Sequence, residues 1–138
     1  MKIKFLLVDD DSDDRELFCD ALKEEDPSVE CECAANPDEA YNILAATSVL
    51  PDVVFLDINM SLVNGWKCLT ALKQSNRLKH LPVIIYSTSS YPRDKGIARD
   101  LGALSYVTKP DSIERLKAVL REIIKHTRQN TLSSLTVE

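Results

Sequence analysis

Five short apolar runs punctuate the chain: Ile3–Val8, Val29–Ala34, Val53–Leu56, Val83–Tyr86 and Leu104–Val107. The third and fourth are nearly continuous in apolar residues, the pattern of strands covered on both faces. The stretches between them change period. Leu17, Phe18, Ala21 and Leu22 share one helix face, and Ala40, Ile43, Leu44 and Thr47 a second. Cys68, Leu69 and Leu72 mark a third, Ile97, Ala98 and Leu101 a fourth. Leu116, Val119, Leu120 and Ile123 give the clearest stripe.

Punctuation residues fall where these elements need them. Asn36-Pro37-Asp38-Glu39 reads as an N-cap, a first-turn proline and an acid at N3. Asp111 with Glu114 repeats that logic for the last helix, and Ser12 or Asp11 caps the first. Tyr91-Pro92 opens the fourth helix, and Gly102 is suited to end it in the left-handed conformation. The order is strand then helix, five times. Crossovers of this length give an α/β fold, a doubly wound parallel sheet with helices on both faces. One domain over residues 1–126 is expected, with 127–138 as a loose tail once periodicity stops.

Composition narrows the function classes. The 138 residues suffice for one domain with a real core. Apolar residues are 44% and charged residues 28%, which excludes disorder as the global state. The net charge is −5, from 17 basic and 22 acidic residues, the wrong sign for a generic nucleic-acid binder. No apolar run approaches the roughly 18 residues of a membrane span, so the expectation is a cytoplasmic protein. Cys19, Cys31, Cys33 and Cys68 lack CxxC or zinc-type spacing and are taken as small buried hydrophobes. In a strand, Cys31 and Cys33 face the same side.

A doubly wound sheet places its site at the carboxyl ends of its strands. Past the first run come Asp9, Asp10 and Asp11, then Asp13 and Asp14; past the third comes Asp57, followed by Ile58 and Asn59. Past the fourth come Ser87, Thr88, Ser89 and Ser90, and past the fifth Lys109-Pro110. Carboxylates converging on one rim repel unless a cation joins them, and Mg²⁺ suits oxygen ligands. Asp10 and Asp57 are the expected direct ligands, with Asp9 holding a coordinated water and the Asn59 carbonyl adding a ligand. A metal beside a carboxylate, facing a lysine and a hydroxyl, describes a phosphoryl site. Asp57 is the candidate nucleophile, forming an aspartyl-phosphate whose oxygens Mg²⁺, Lys109 and Ser87 would take.

These residues resemble the bacterial response-regulator receiver domain, the chemotaxis-regulator fold, over about residues 2–126. Asn64-Gly65 matches the turn that opens the third helix of such domains. Ser87-Thr88-Ser89-Ser90, Ser105–Pro110 and Asp13-Asp14 are similar to the stand-alone regulators that serve phytochrome-type kinases. The resemblance implies a flavodoxin-like sheet in the order 2-1-3-4-5. It also implies phosphorylation of Asp57 by a histidine kinase or phosphotransfer protein with Mg²⁺, followed by slow self-dephosphorylation, and output by protein contact without an effector domain. Ser87 would move inward and Tyr106 would turn in behind it. Partners would read the fourth helix, fifth strand and fifth helix, a face that also allows a homodimer. A cis bond before Pro110 would aim Lys109 into the site.

Departures from the family pattern are Ser61 after Met60 in place of proline, Thr88 in place of a small residue, and Asp111 in place of an apolar one. Asp13, Asp14 and Glu16 read as an ordinary solvated helix start. Trp66 reads as a packing residue, and His80 and His126 as structural or idle. Competing functions fare worse. A haloacid-dehalogenase-type phosphohydrolase expects Asp-x-Asp where this chain has Asp57-Ile58-Asn59. A flavin or nucleotide module needs a phosphate loop where this chain carries five acids. A degenerate receiver would have lost part of the acid triad or Lys109.

Overall fold

The structure is a computed structural model and describes residues 2–135. Its strands are β1 (Lys4–Val8), β2 (Glu30–Ala34), β3 (Val53–Leu56), β4 (Val83–Ser87) and β5 (Ser105–Thr108). They alternate with α1 (Ser12–Glu25), α2 (Pro37–Ala46), α3 (Gly65–Gln74), α4 (Pro92–Asp100) and α5 (Ile113–Gln129). All strand pairs are parallel, in the order β2-β1-β3-β4-β5. This is the flavodoxin-like arrangement expected from the sequence.

Strand alternation divides the core into two layers. Leu6, Val8, Val54, Leu56 and Ile85 face α2, α3 and α4 through Leu44, Leu69, Leu72 and Ala98. Phe5, Leu7, Val53, Phe55, Ile84 and Tyr86 face α1 and α5 through Phe18, Leu22, Leu116, Leu120 and Ile123. Edge-to-face rings tie that second layer together: Phe55 lies 5.2 Å from Phe5 and 5.0 Å from Phe18, and Phe18 lies 5.4 Å from Tyr86. With apolar cover above and below, β1, β3 and β4 have no solvated face and end abruptly where polar residues begin.

Asp11, not Ser12, caps α1, accepting from the backbone N–H groups of Asp13 and Asp14. Asn36 caps α2 through the Glu39 N–H, and Glu39 reaches back to the Ala35 N–H. Gly102 follows α4 at φ +94°. Ser112, rather than Asp111, caps α5; Asp111 instead lies in an exposed pair with Arg115. Leu17 is exposed, so the buried stripe of α1 is Phe18, Ala21 and Leu22.

The chain keeps regular structure past residue 126, where the sequence pattern places the start of a loose tail. The α5 helix runs to Gln129, with Thr127 buried and its hydroxyl donating to the Ile123 carbonyl at 2.7 Å. Asn130 ends it at φ 57°, and Leu132 and Leu135 pack back onto the α1–α5 layer. His126 joins this closure through Nδ1, 2.8 Å from the Thr131 hydroxyl. The remainder of the expected tail, residues 136–138, lies outside the described residues.

Candidate phosphoacceptor site

Hydrogen bonding carries the sheet one residue past its strands and fixes the rim. The Asp9 N–H donates to the Ala34 carbonyl at 3.0 Å, and the Asp57 N–H to the Val8 carbonyl at 3.0 Å. Both carboxylates thus start from backbone as fixed as the core, and both residues are buried. Across the sheet the Lys109 N–H donates to the Ser87 carbonyl at 2.7 Å, which sets Lys109 beside the end of β4.

The Lys109 ammonium lies 2.7 Å from Asp9 Oδ2, 2.6 Å from Asp14 Oδ2 and 3.2 Å from Asp57 Oδ2. It also sits 5.5 Å from the centroid of the Tyr86 ring. Burial works against the Lys109 charge, but hydrogen bonds to Asp14 and Asp9 and the field of Asp57 outweigh it and hold its pKa above the ordinary lysine value. Burial pushes the Asp9 carboxyl up to about 6, against the hydrogen bonds from Lys109 and the Asp11 N–H. Asp10 is exposed and held below the usual carboxylate range by the Ser61 N–H and hydroxyl, each 2.8 Å from its Oδ2.

The opposite wall is made of hydroxyls and an amide. The Asn59 N–H donates to Asp57 Oδ1 at 2.9 Å. Its side-chain amide donates to Ser87 Oγ at 3.0 Å, which also accepts from the Ser89 N–H at 3.3 Å. The Tyr106 hydroxyl donates to the Ser89 carbonyl at 2.7 Å, and the Ser89 hydroxyl to Asp94. The ring expected to turn inward is already buried. The peptide bond before Pro110 is trans, contrary to the sequence expectation. Lys109 reaches the carboxylates regardless, because its backbone pairing with Ser87 aims it.

Sequence reasoning missed Asp14, which it consigned to solvent. Asp14 occupies the third position of α1, and side chains of a first helical turn lean back toward the N-terminus, here toward the rim. That lean was the available signal. Ser61 was noted only as a missing proline, yet it supplies two donors to Asp10.

Carboxylate oxygens of Asp9, Asp10 and Asp57 lie within 4.8 Å of one another. A trio of hard oxygen donors, one member facing solvent, fits a hard divalent cation that retains water ligands. A response regulator receiver domain model matches residues 5–121. The chain belongs to this family. The receiver is similar to the phosphorylated cyanobacterial phytochrome response regulator RcpA, at 28% identity and TM-score 0.82, covering 99% of this chain and 98% of that one. It is also similar to the chemotaxis response regulator CheY4 of Vibrio cholerae, at 27% identity and TM-score 0.74, covering 89% and 99%. A probable cyclic di-GMP phosphodiesterase of Vibrio cholerae is 30% identical over 127 residues, 92% of this receiver and 28% of that protein. The chain spans between 28% and 50% of the length of the first curated relatives it matches. Among the described residues no helix is long and apolar enough to cross a membrane.

Proposed function

We propose that the receiver accepts a phosphoryl group on Asp57 from a histidine kinase or histidine phosphotransfer protein. The observation that carries this reading is one ammonium, Lys109, set among carboxylates at the ends of β1 and β3, with a buried serine hydroxyl across the rim. Asp57 is the nucleophile: one oxygen is oriented by the Asn59 N–H and the other faces Lys109. Asp9, Asp10, Asp57 and the Asn59 carbonyl would hold Mg²⁺. The ion supplies neutralisation of the acids and of the charge on the transferred group. Lys109 and Ser87 each take a phosphoryl oxygen, and burial of Asp57 limits the water that would hydrolyse the ester.

Phosphorylation adds a group of charge near −2 to this rim. Lys109 leaves Asp14 for the new oxygens, and the Ser87 hydroxyl is drawn from Asn59. Ser89, bonded to Ser87 through its N–H and to Tyr106 through its carbonyl, carries the displacement to β5 and α4. Tyr106 therefore acts from an inward position, by changing its acceptor. The face of α4, β5 and α5 presents the result to a protein partner, in the cytoplasm, and a homodimer through it is one form that output can take.

Incubation with acetyl phosphate and Mg²⁺ tests the proposal. Intact mass should rise by one phosphoryl group, and the gain should vanish with Asp57→Asn or with chelator. A gain that persists in Asp57→Asn refutes the assignment. Steady turnover of small phosphate esters would identify a phosphohydrolase instead.

A further inference from the structure

Away from the phosphoryl rim, three of the four cysteines meet in the seam between α1 and β2. Cys31 and Cys33 alternate along β2 and so share one face, and α1 brings Cys19 over that face. Cys19 Sγ lies 2.6 Å from Cys31 Sγ and 3.2 Å from Cys33 Sγ, and the three sulfurs lie within 4.8 Å of one another. All three residues are half-buried and carry free thiols, whereas Cys68 is buried elsewhere, on the inner face of α3 in the opposite core layer. The separation of 12 and 14 residues matches no ligand motif, which is why the sequence pattern suggested only small core residues.

We propose that Cys19, Cys31 and Cys33 form a binding site for one soft, thiophilic d¹⁰ metal ion such as Zn²⁺. A disulfide would use two thiols and leave the third unexplained; an ion uses all three. A Zn–S bond of about 2.3 Å sets sulfurs roughly 3.8 Å apart in a tetrahedron. The thiols would therefore open by about an ångström, which χ1 rotation of half-exposed cysteines permits. The fourth position falls to water. Sulfur donors exclude Mg²⁺, and the all-oxygen rim disfavours soft ions, so the two sites sort metals by ligand chemistry.

The test uses the full chain, reduced, in excess Mg²⁺ so that the carboxylate rim is filled. Native mass spectrometry with Zn²⁺ should show one ion bound, and thiol-reactive cysteines should fall by three. Cd²⁺ in its place should give an ultraviolet thiolate-to-metal charge-transfer band. Cys33→Ala should weaken binding at least about a hundredfold, since loss of mere outer-shell partners already costs roughly 10- to 100-fold. Cys68→Ala and Asp57→Asn should bind as the parent does. The proposal is overturned if the unsubstituted chain takes up no Zn²⁺ or gives no charge-transfer band, or if Cys33→Ala binds Zn²⁺ as the parent does. Loss of binding in Asp57→Asn, which would mean that the ion sits at the rim, overturns it too.

Discussion

Gly65 opens α3 directly beneath the Asp57 loop, and adding one methyl group there gives a sharp trial of how tightly the site is built. A Cβ at Gly65 would fall 2.5 Å from the Ile58 Cα and 2.7 Å from the Asp57 carbonyl oxygen. Carbon contacts settle near 3.5–4.0 Å, so α3 or the loop would have to retreat by about 1 Å. Both obstacles are backbone, and no rotamer relieves them. Overpacking of this kind costs about 1–3 kcal/mol, less some of the roughly 1 kcal/mol by which alanine exceeds glycine in a helix. A net loss of about 1–2 kcal/mol remains. At about 2.1 cal/mol/K per residue, 138 residues give an unfolding entropy of about 0.29 kcal/mol/K. Gly65→Ala should therefore lower Tm by roughly 3–7 °C in a calorimetric scan. It should also slow acetyl-phosphate labelling, because the displaced atoms belong to Asp57 and its neighbour. Gly96 is the internal control. Its added Cβ would meet nothing nearer than the end of the Arg99 side chain at 3.9 Å, so Gly96→Ala should raise Tm by up to about 3 °C. A Gly65→Ala protein as stable as the parent, or two substitutions shifting Tm in the same direction, would refute the reasoning.

Three further outcomes are expected. Saturating Mg²⁺ at 100 times its Kd should add about 2.7 kcal/mol of unfolding free energy, seen as a Tm rise that EDTA reverses and Asp10→Asn diminishes. Asp14→Asn removes a competitor for the Lys109 ammonium; the phosphorylated fraction at limiting acetyl phosphate should rise about twofold or more, and an unchanged or lower fraction would count against the competition. Asp26 is held below its ordinary pKa by the Ser28 hydroxyl and then by Arg128. A depressed folded-state value stabilises above the unfolded pKa near 3.9 and is lost as pH falls through the folded one. Asp26→Asn should thus melt below the parent at pH 7, with the gap closing below about pH 4 in a Tm series.

The fold was legible because its signals are local and redundant: apolar runs such as Val83–Tyr86, the Asn36 cap, the Tyr91-Pro92 start of α4. So was the gathering of Asp9 and Asp57 on one rim, since the end of a buried strand fixes where each emerges. What stayed hidden depends on where a side chain leans after the chain has folded. Asp14 looked like any first-turn acid until α1 was set against α5, beside the lysine that follows β5, and the cap of α5 fell one residue past Asp111, at Ser112. The three cysteines of the α1–β2 seam belong to two elements whose mutual packing no spacing rule encodes. Closure beyond Thr127 rests on Leu132 and Leu135, two apolar residues too sparse to show a period.

The Ser87 side chain is fully buried. It accepts from the Asn59 amide and from the Ser89 N–H, so both oxygen lone pairs are already engaged. Donors on its far side polarise the O–H bond and strengthen what that proton can give. The hydroxyl is thus conditioned to offer its hydrogen to an acceptor and to resist acting as one itself, a bias that the fold sets in advance.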